Sequence, residues 1–297
     1  MLDLALDAAQ RRLDGLKSPD RAPDAPNMSP LVDDLDRTRR TRTLVEELIA
    51  DPSRLGPDLQ PVRRLDATGP GEVVAWKATG RGQPGTDLAD TLALLAGAAS
   101  LGLVERLDWA FRVLVLDTVV AAGLTEPVHL TPEPETFGGA CPPRLAVAFG
   151  RGRRSVAVAA EVHADAFADP RRLTQALEEY RGWGWQVVLA DVGDEMLASP
   201  ATEDLARRLS PDVVQVDLGR SGGRPPRSDS PATARLLALA AEVGAELMAV
   251  GVDTSARLTE AVALGATLGR GLVLGAPSAA GAPFGPPVSA PAGGPAS

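Results

Sequence analysis

From Leu59 onward, short apolar runs alternate with longer segments whose apolar positions recur at helical spacing. The short runs fall near residues 59–64, 72–78, 126–130, 155–162, 186–191, 212–217, 246–251 and 268–274. Unbroken apolar runs such as Val187–Ala190 are the pattern of strands covered on both faces. Helix-like segments separate most of them: Asp87–Ala99, Val104–Ala122, Pro170–Trp183, Pro200–Leu209, Pro231–Val243 and Ser255–Leu264. Strands alternating with helices predict a parallel sheet. About eight strands over roughly 220 residues match a (β/α)8 TIM-like barrel, which usually takes about 250. An open doubly wound sheet is the alternative, weakened because no Gly-x-Gly-x-x-Gly opens the first unit. Two places break the rhythm. Pro132–Arg154 is rich in Pro and Gly, with Arg144–Phe149 too short to predict a helix, and Gly219–Ser230 reads as a polar loop.

Ahead of the barrel, residues 1–50 predict an N-terminal helical extension. An amphipathic helix covers 1–16, a Pro-rich linker runs from Pro19 to Pro30, and a second helix spans Leu31–Ala50. The arginines in its middle (Arg37, Arg39, Arg40, Arg42) read as a solvated helix face. The barrel itself is assigned to 51–277. The remaining 278–297 form a tail, and the uncharged Pro/Gly/Ala/Ser stretch from Ala276 onward is expected to be disordered.

Composition narrows the function classes. Hydrophobic residues make up 44% and aromatics only 3%, so Leu, Val and Ala must fill the core. A net charge of -9 with no basic stripe argues against nucleic acid as a partner. Cys141 is the single cysteine, which fits a reducing cytoplasm, and with no histidine nearby in sequence it reads as structural. No stretch supplies the ~18 apolar residues of a membrane span, and the acid-interrupted start lacks a basic leader region. Trp109 reads as core; Trp183 and Trp185 are expected to pack against barrel helices.

Candidate chemistry begins at Asp191-Val-Gly-Asp194, an acidic turn directly after the apolar run 187–190. The C-terminal ends of parallel strands are where such folds place their sites. Eight stretches in order resemble the landmarks of EAL domains, phosphodiesterases that linearise cyclic di-GMP. Leu59-Gln-Pro-Val resembles Tyr-Gln-Pro-Ile. Val74–Arg81 resembles the strand with Glu-Ala-Leu-Leu-Arg, and Val128-His-Leu-Thr-Pro resembles Val-Asn-Leu-Ser-Pro. Val158-Ala-Ala-Glu161 resembles Glu-Ile-Thr-Glu, and Leu189-Ala-Asp-Val-Gly193 resembles Leu-Asp-Asp-Phe-Gly. Pro211–Asp217 resembles Pro-Asp-x-Leu-Lys-Ile-Asp, Met248–Thr254 resembles Ala-Glu-Gly-Val-Glu-Thr, and Gly269–Pro277 resembles the closing Gln-Gly-Tyr-x-x-x-x-Pro. The resemblance implies an EAL-type barrel.

Enzymes of that family hold divalent metals on hard oxygen ligands, which activate the attacking water. The resemblance puts those ligand positions on Lys77, His129, Val158 and Ala190, none of which supplies a hard oxygen. The family's Lys, Glu and Gln further along fall on Gln215, Val250 and Arg270. The expectation is therefore a pseudo-enzyme with no catalytic residues, no metal and no cofactor. Lys77 is expected either to pair with Asp191, Asp217 or Glu161 or to reach solvent. Candidate ligand-binding residues are Gln60, Lys77, Arg81, Glu161, Asp191, Asp217 and Asp253. Gln60 and Arg81 match family positions that touch the nucleotide, Arg81 through a phosphate that suits its forked donors. The implied role is a protein-interaction or regulatory module in cyclic di-GMP-related signalling, its partner meeting the N-terminal helices, with a homodimer also open. A metal-free cyclic di-GMP receptor and a residual phosphodiesterase are the alternatives.

Overall fold

The structure is a computed structural model that describes residues 29–67, 69–190, 199–219 and 231–279. Helix α1 (Ser29–Ala50) comes first, followed by strands β1 (Gly56–Asp66) and β2 (Gly69–Arg81). Helices α2 (Thr91–Ser100) and α3 (Val104–Ala121) lead to β3 (Val128–Leu130). The units α4 (Pro143–Ser155) with β4 (Val158–Val162), α5 (Pro170–Gly182) with β5 (Gln186–Leu189), and α6 (Pro200–Leu209) with β6 (Val213–Asp217) follow. The chain continues through α7 (Pro231–Val243), β7 (Glu246–Val250), α8 (Ser255–Ala263), β8 (Leu268–Gly269) and β9 (Ser278–Ala279).

Strands β2 to β8 are parallel neighbours in sequence order, and β1 pairs with both β2 and β8, closing the ring. An open sheet is thereby ruled out. One expectation needs correcting: β1 runs antiparallel to both its neighbours. Only Ala67 and Thr68 separate β1 from β2, too few for the crossover that a parallel pair requires, so the two form a hairpin. The helix judged too short around Arg144 extends over Pro143–Ser155, burying Leu145 and Phe149. There Gly152 lets α4 approach α3 closely, since a Cβ would stand 2.7 Å from Leu116 Cβ. The tail expectation also needs correction at its start, because Ser278 and Ala279 pair antiparallel with Leu59 and Asp58 of β1.

Inside the ring, Val62, Ala75, Ala159, Val188, Val213, Met248, Val250 and Leu268 form a narrow apolar core. Outside it, larger side chains fill the space between strands and helices, including Trp109, Leu116, Leu130, Phe149 and Trp185. Trp183 packs partly buried against the same layer. The C-terminal half of α1 docks on the barrel, with Val45, Leu48 and Ile49 buried against α2 and α3. Among the described residues no helix is long and apolar enough to cross a membrane. The predicted helix over 1–16, the linker to residue 28, Asp191–Asp194, most of the Gly219–Ser230 loop and the tail beyond Ala279 lie outside the described residues.

Candidate functional site

Ala75, Ala159, Val213 and Leu268 stand on β2, β4, β6 and β8 and share the inner core. Side chains alternate along a strand, so the residues two positions further on face the same interior. Those are Lys77, Glu161, Gln215 and Arg270. Alternate strands of such a barrel contribute each layer of interior side chains. The apolar core is thus capped, toward the C-terminal ends of the strands, by one polar layer of four. Arg270 stands just past β8 and still extends the ladder, its backbone N–H donating to Ala249 at 2.9 Å. Its charge reaches both Lys77 and Glu161.

Lys77 and Glu161 form a buried ion pair, Nζ to Oε2 at 2.5 Å. Lys77 also donates to Thr131 Oγ1. The second oxygen of Glu161 meets His129 Nδ1 at 3.0 Å. Burial works to lift the Glu161 carboxyl, but Lys77, then Arg270 and His129, together hold it well below the usual carboxylate range. Ionised, Glu161 can only accept, so Nδ1 of His129 carries the proton. Burial pulls Lys77 below the ordinary lysine value, opposed by the charge of Glu161 and reinforced by that of Arg270.

This geometry corrects one position. Val158 points outward into the helix-facing layer, so the interior acid on β4 is Glu161, touching the side chains of β2 and β3. The period-two rule applied from Ala159 finds it directly. The same rule adds Arg270 and Gln215, which motif matching had treated only as replacements. Gln215 is 4% exposed, and its Nε2 has no hydrogen-bond partner among the described residues. The Arg270 guanidinium likewise makes no hydrogen bond or ion pair within them.

The other candidates are spread out. Gln60 Nε2 donates to the Gly275 carbonyl at 3.0 Å. Arg81, whose side chain is 54% exposed, pairs with Asp58 at 2.8 Å. Asp217 Oδ1 accepts from the Gly219 N–H at 2.7 Å. That turn abuts Gly251, at φ +70, where a Cβ would stand 2.5 Å from Gly219 N, so glycine is required there. Asp253 braces the closing turn, accepting from Leu272 N–H at 2.9 Å and meeting Arg257 at 3.4 Å. Ala190 is buried, and Asp191 is outside the described residues.

A cavity of about 420 Å³ opens beside Lys77, lined by Thr79, Leu94, Phe111, Pro132 and Glu133 among others. Burial, then the nearby carboxylates of Asp108, Glu135 and Asp165, push Glu133 up to about 7 against a partial pull from Arg112. Its folded value lies above its unfolded one, so folding takes up a proton and stability falls as pH climbs from about 4.5 through 7. Glu133→Gln is expected to raise the melting temperature at pH 8 and leave it unchanged at pH 4.5; an equal shift at both would refute the assignment.

A magnesium-type cation wants near-octahedral oxygens at about 2.0–2.1 Å. The polar layer offers one carboxylate, already bonded to an ammonium and an imidazole. Among the described residues no three His, Cys, Asp or Glu side chains gather as a metal site. Among the described residues, this layer by itself does not supply the oxygens that a divalent cation requires.

No protein-family model matches the chain, and no curated protein does. Solved structures do. The FimX EAL domain of Xanthomonas citri, in complex with c-diGMP, superposes with a TM-score of 0.63 at 17% identity, over 86% of this chain and 96% of that one. The Vibrio cholerae LapD S helix-GGDEF-EAL structure bound to c-di-GMP gives 0.64 at 14%, over 80% and 57%. The Bacillus subtilis YkuI protein, with an EAL domain in complex with substrate c-di-GMP and calcium, gives 0.58 at 18%, over 81% and 59%. The chain therefore spans less than two thirds of LapD and YkuI. The fold is the EAL-type barrel.

Proposed function

We propose that this chain is a non-catalytic EAL-type barrel, a regulatory module in cyclic di-GMP-related signalling that binds rather than hydrolyses. One observation carries the reading: the Lys77 ammonium sits on Glu161, in the polar layer where the resemblance puts a metal ligand. A cation brought there would meet a positive charge and a carboxylate already neutralised, with no oxygen cage among the described residues to replace its water. Without the metal there is no activated water, and one acid–base group is worth only about 10²- to 10⁴-fold by itself. The c-di-GMP complexes of the structural neighbours support the signalling context. A protein partner, or a second copy of the chain, is assigned to residues 1–28 and the exposed face of α1, since the C-terminal half of α1 is already spent on the barrel. A cytoplasmic setting suits the single thiol.

Incubating the purified chain with cyclic di-GMP and Mg²⁺ or Mn²⁺ is expected to give no linear dinucleotide above the uncatalysed background. Lys77→Glu alone is expected not to restore turnover. Metal-dependent product from the unaltered chain would overturn the reading.

A further inference from the structure

We propose that the cavity walled by α2, α3 and the segment after β3 binds a small apolar amine, its ammonium held by Glu133 and Asp165 and its hydrocarbon body by the leucines of α2 and Phe111 of α3. The inference goes beyond the non-catalytic reading and does not depend on it.

The walls of the cavity are mainly apolar. Leu92, Leu94 and Leu95 come from α2, and Leu107 and Phe111 from α3. Leu94 and Leu107 also belong to the cluster that seats α1, so the cavity opens among the helices; of the polar layer only Lys77 borders it. Its volume of about 420 Å³ falls within the ~300–1,000 Å³ range of small-molecule sites. Leu92 is 77% exposed at this wall, an apolar surface that a hydrocarbon ligand would cover.

The charged groups choose the sign of the ligand. The carboxyls of Glu133 and Asp165 make no hydrogen bond or ion pair among the described residues. Asp108 is balanced by Arg112, and Lys77 by Glu161. Glu135 stands close enough to act on Glu133, and His163 is the remaining titratable group on the wall. Among the described residues the cavity is thus left with an excess of negative charge. Glu133 sits where ionisation is costly, pushed up to about 7 by burial and by the carboxylates around it. An ammonium relieves that cost through charge-assisted hydrogen bonds, and a hydrocarbon body fills the apolar remainder. A phosphate or carboxylate ligand would be repelled by the same groups.

Calorimetric titration with phenethylamine in amine-free buffer is expected to show binding at pH 8 that weakens about tenfold or more at pH 5.5, where Glu133 is protonated and the ligand keeps its charge. Phenethyl alcohol has nearly the same body without the charge, and phenylacetate has the opposite charge. Both are expected to bind about tenfold more weakly than the amine at pH 8, or less tightly still. Glu133→Gln is expected to lower the affinity for phenethylamine at pH 8 by about tenfold. A histidine can titrate over the same range and in the same direction, so this variant also assigns the pH effect, most of which is expected to disappear with Glu133. Glu133→Gln is expected to melt no lower than the unaltered chain at pH 8, which separates lost binding from misfolding. Leu92→Ser, at an exposed position, is expected to weaken amine binding through the apolar wall alone. Phenylacetate binding as tightly as phenethylamine, an amine affinity or pH dependence unchanged in Glu133→Gln, or no binding of phenethylamine at millimolar concentration overturns the proposal. Hydrolysis of cyclic di-GMP would sink the non-catalytic reading and leave this site standing, so the two failures are distinguishable.

Discussion

Glu161→Gln is expected to lower the unfolding free energy by about 3–5 kcal/mol in urea titrations at pH 7, the usual cost of stripping one partner from a buried ion pair. The substitution keeps the shape of the side chain and removes only its charge. Lys77 then stands beside a neutral amide, with the charge of Arg270 still working against its ammonium. It can escape by releasing its proton, and from an ordinary value near 10.4 that costs about 5 kcal/mol at pH 7. The two routes give the same scale, so the estimate does not depend on which one the protein takes. Replacing both partners, Lys77→Met with Glu161→Met, is expected to recover most of the loss, because apolar side chains of similar volume carry no desolvation cost there. The pH dependence has a definite sign. Glu161 is held well below its unfolded value of 4.5, so its contribution is fully present above about pH 5 and is lost as pH falls toward the folded value. A loss under about 1 kcal/mol for Glu161→Gln would show that the pair behaves as if solvated, and the exclusion of a metal from that position would lose its support.

The barrel was legible because its strands are short and apolar, and because the intervening helices show clear periods and caps. Predicted helices at Pro200–Leu209 and Pro231–Val243 coincide with the observed ones. The direction of β1 was hidden, since strand character says nothing about orientation; the two-residue gap before Gly69 was the available signal. The helix at Pro143–Ser155 was obscured by Gly150 and Gly152, which weaken propensity, although Gly152 permits the close approach to Leu116. At the site, matching short motifs put the β4 ligand on Val158, one of the residues facing the helices. A motif aligns letters, whereas the pleat decides which letters face inward. Counting in twos from the inner core would have gathered Lys77, Glu161, Gln215 and Arg270 from the sequence alone, once the strand bounds were known. The pairing of Lys77 with Glu161 rather than Asp217 could not be read that way, because it depends on how the ring brings β2 and β4 to either side of β3.

Arg112→Met carries the second large effect, an expected loss of about 3–5 kcal/mol. Arg112 is 1% exposed and lies on α3 one turn from Asp108, with Nη2 to Oδ2 at 2.5 Å. The same nitrogen donates to Thr136 Oγ1, and Nη1 lies 3.5 Å from the Tyr180 hydroxyl. Its guanidinium also sits 4.6 Å from the Trp109 ring centre, a contact that desolvation strengthens. Although burial alone works to lower its pKa, Asp108 and Tyr180 raise it above the ordinary arginine value, so the charge is permanent. Methionine fills much of the volume and leaves Asp108 buried without its cation. Arg112→Lys keeps a charge but cannot reproduce the fork that reaches Asp108 and Thr136 together, so it is expected to fall between the two. The damage should be local before it is global. Asp108 accepts from the Glu133 N–H at 3.2 Å, and Thr136 donates to the Glu133 carbonyl at 2.6 Å. The segment that walls the cavity beside Lys77 is therefore tied to α3 through this one cluster. Amide exchange in Arg112→Lys is expected to accelerate at Glu133 and Phe137 under conditions where the inner strands stay protected. Acceleration spread evenly over the barrel would mean that Arg112 supports the fold as a whole and does not specifically hold the cavity wall in place.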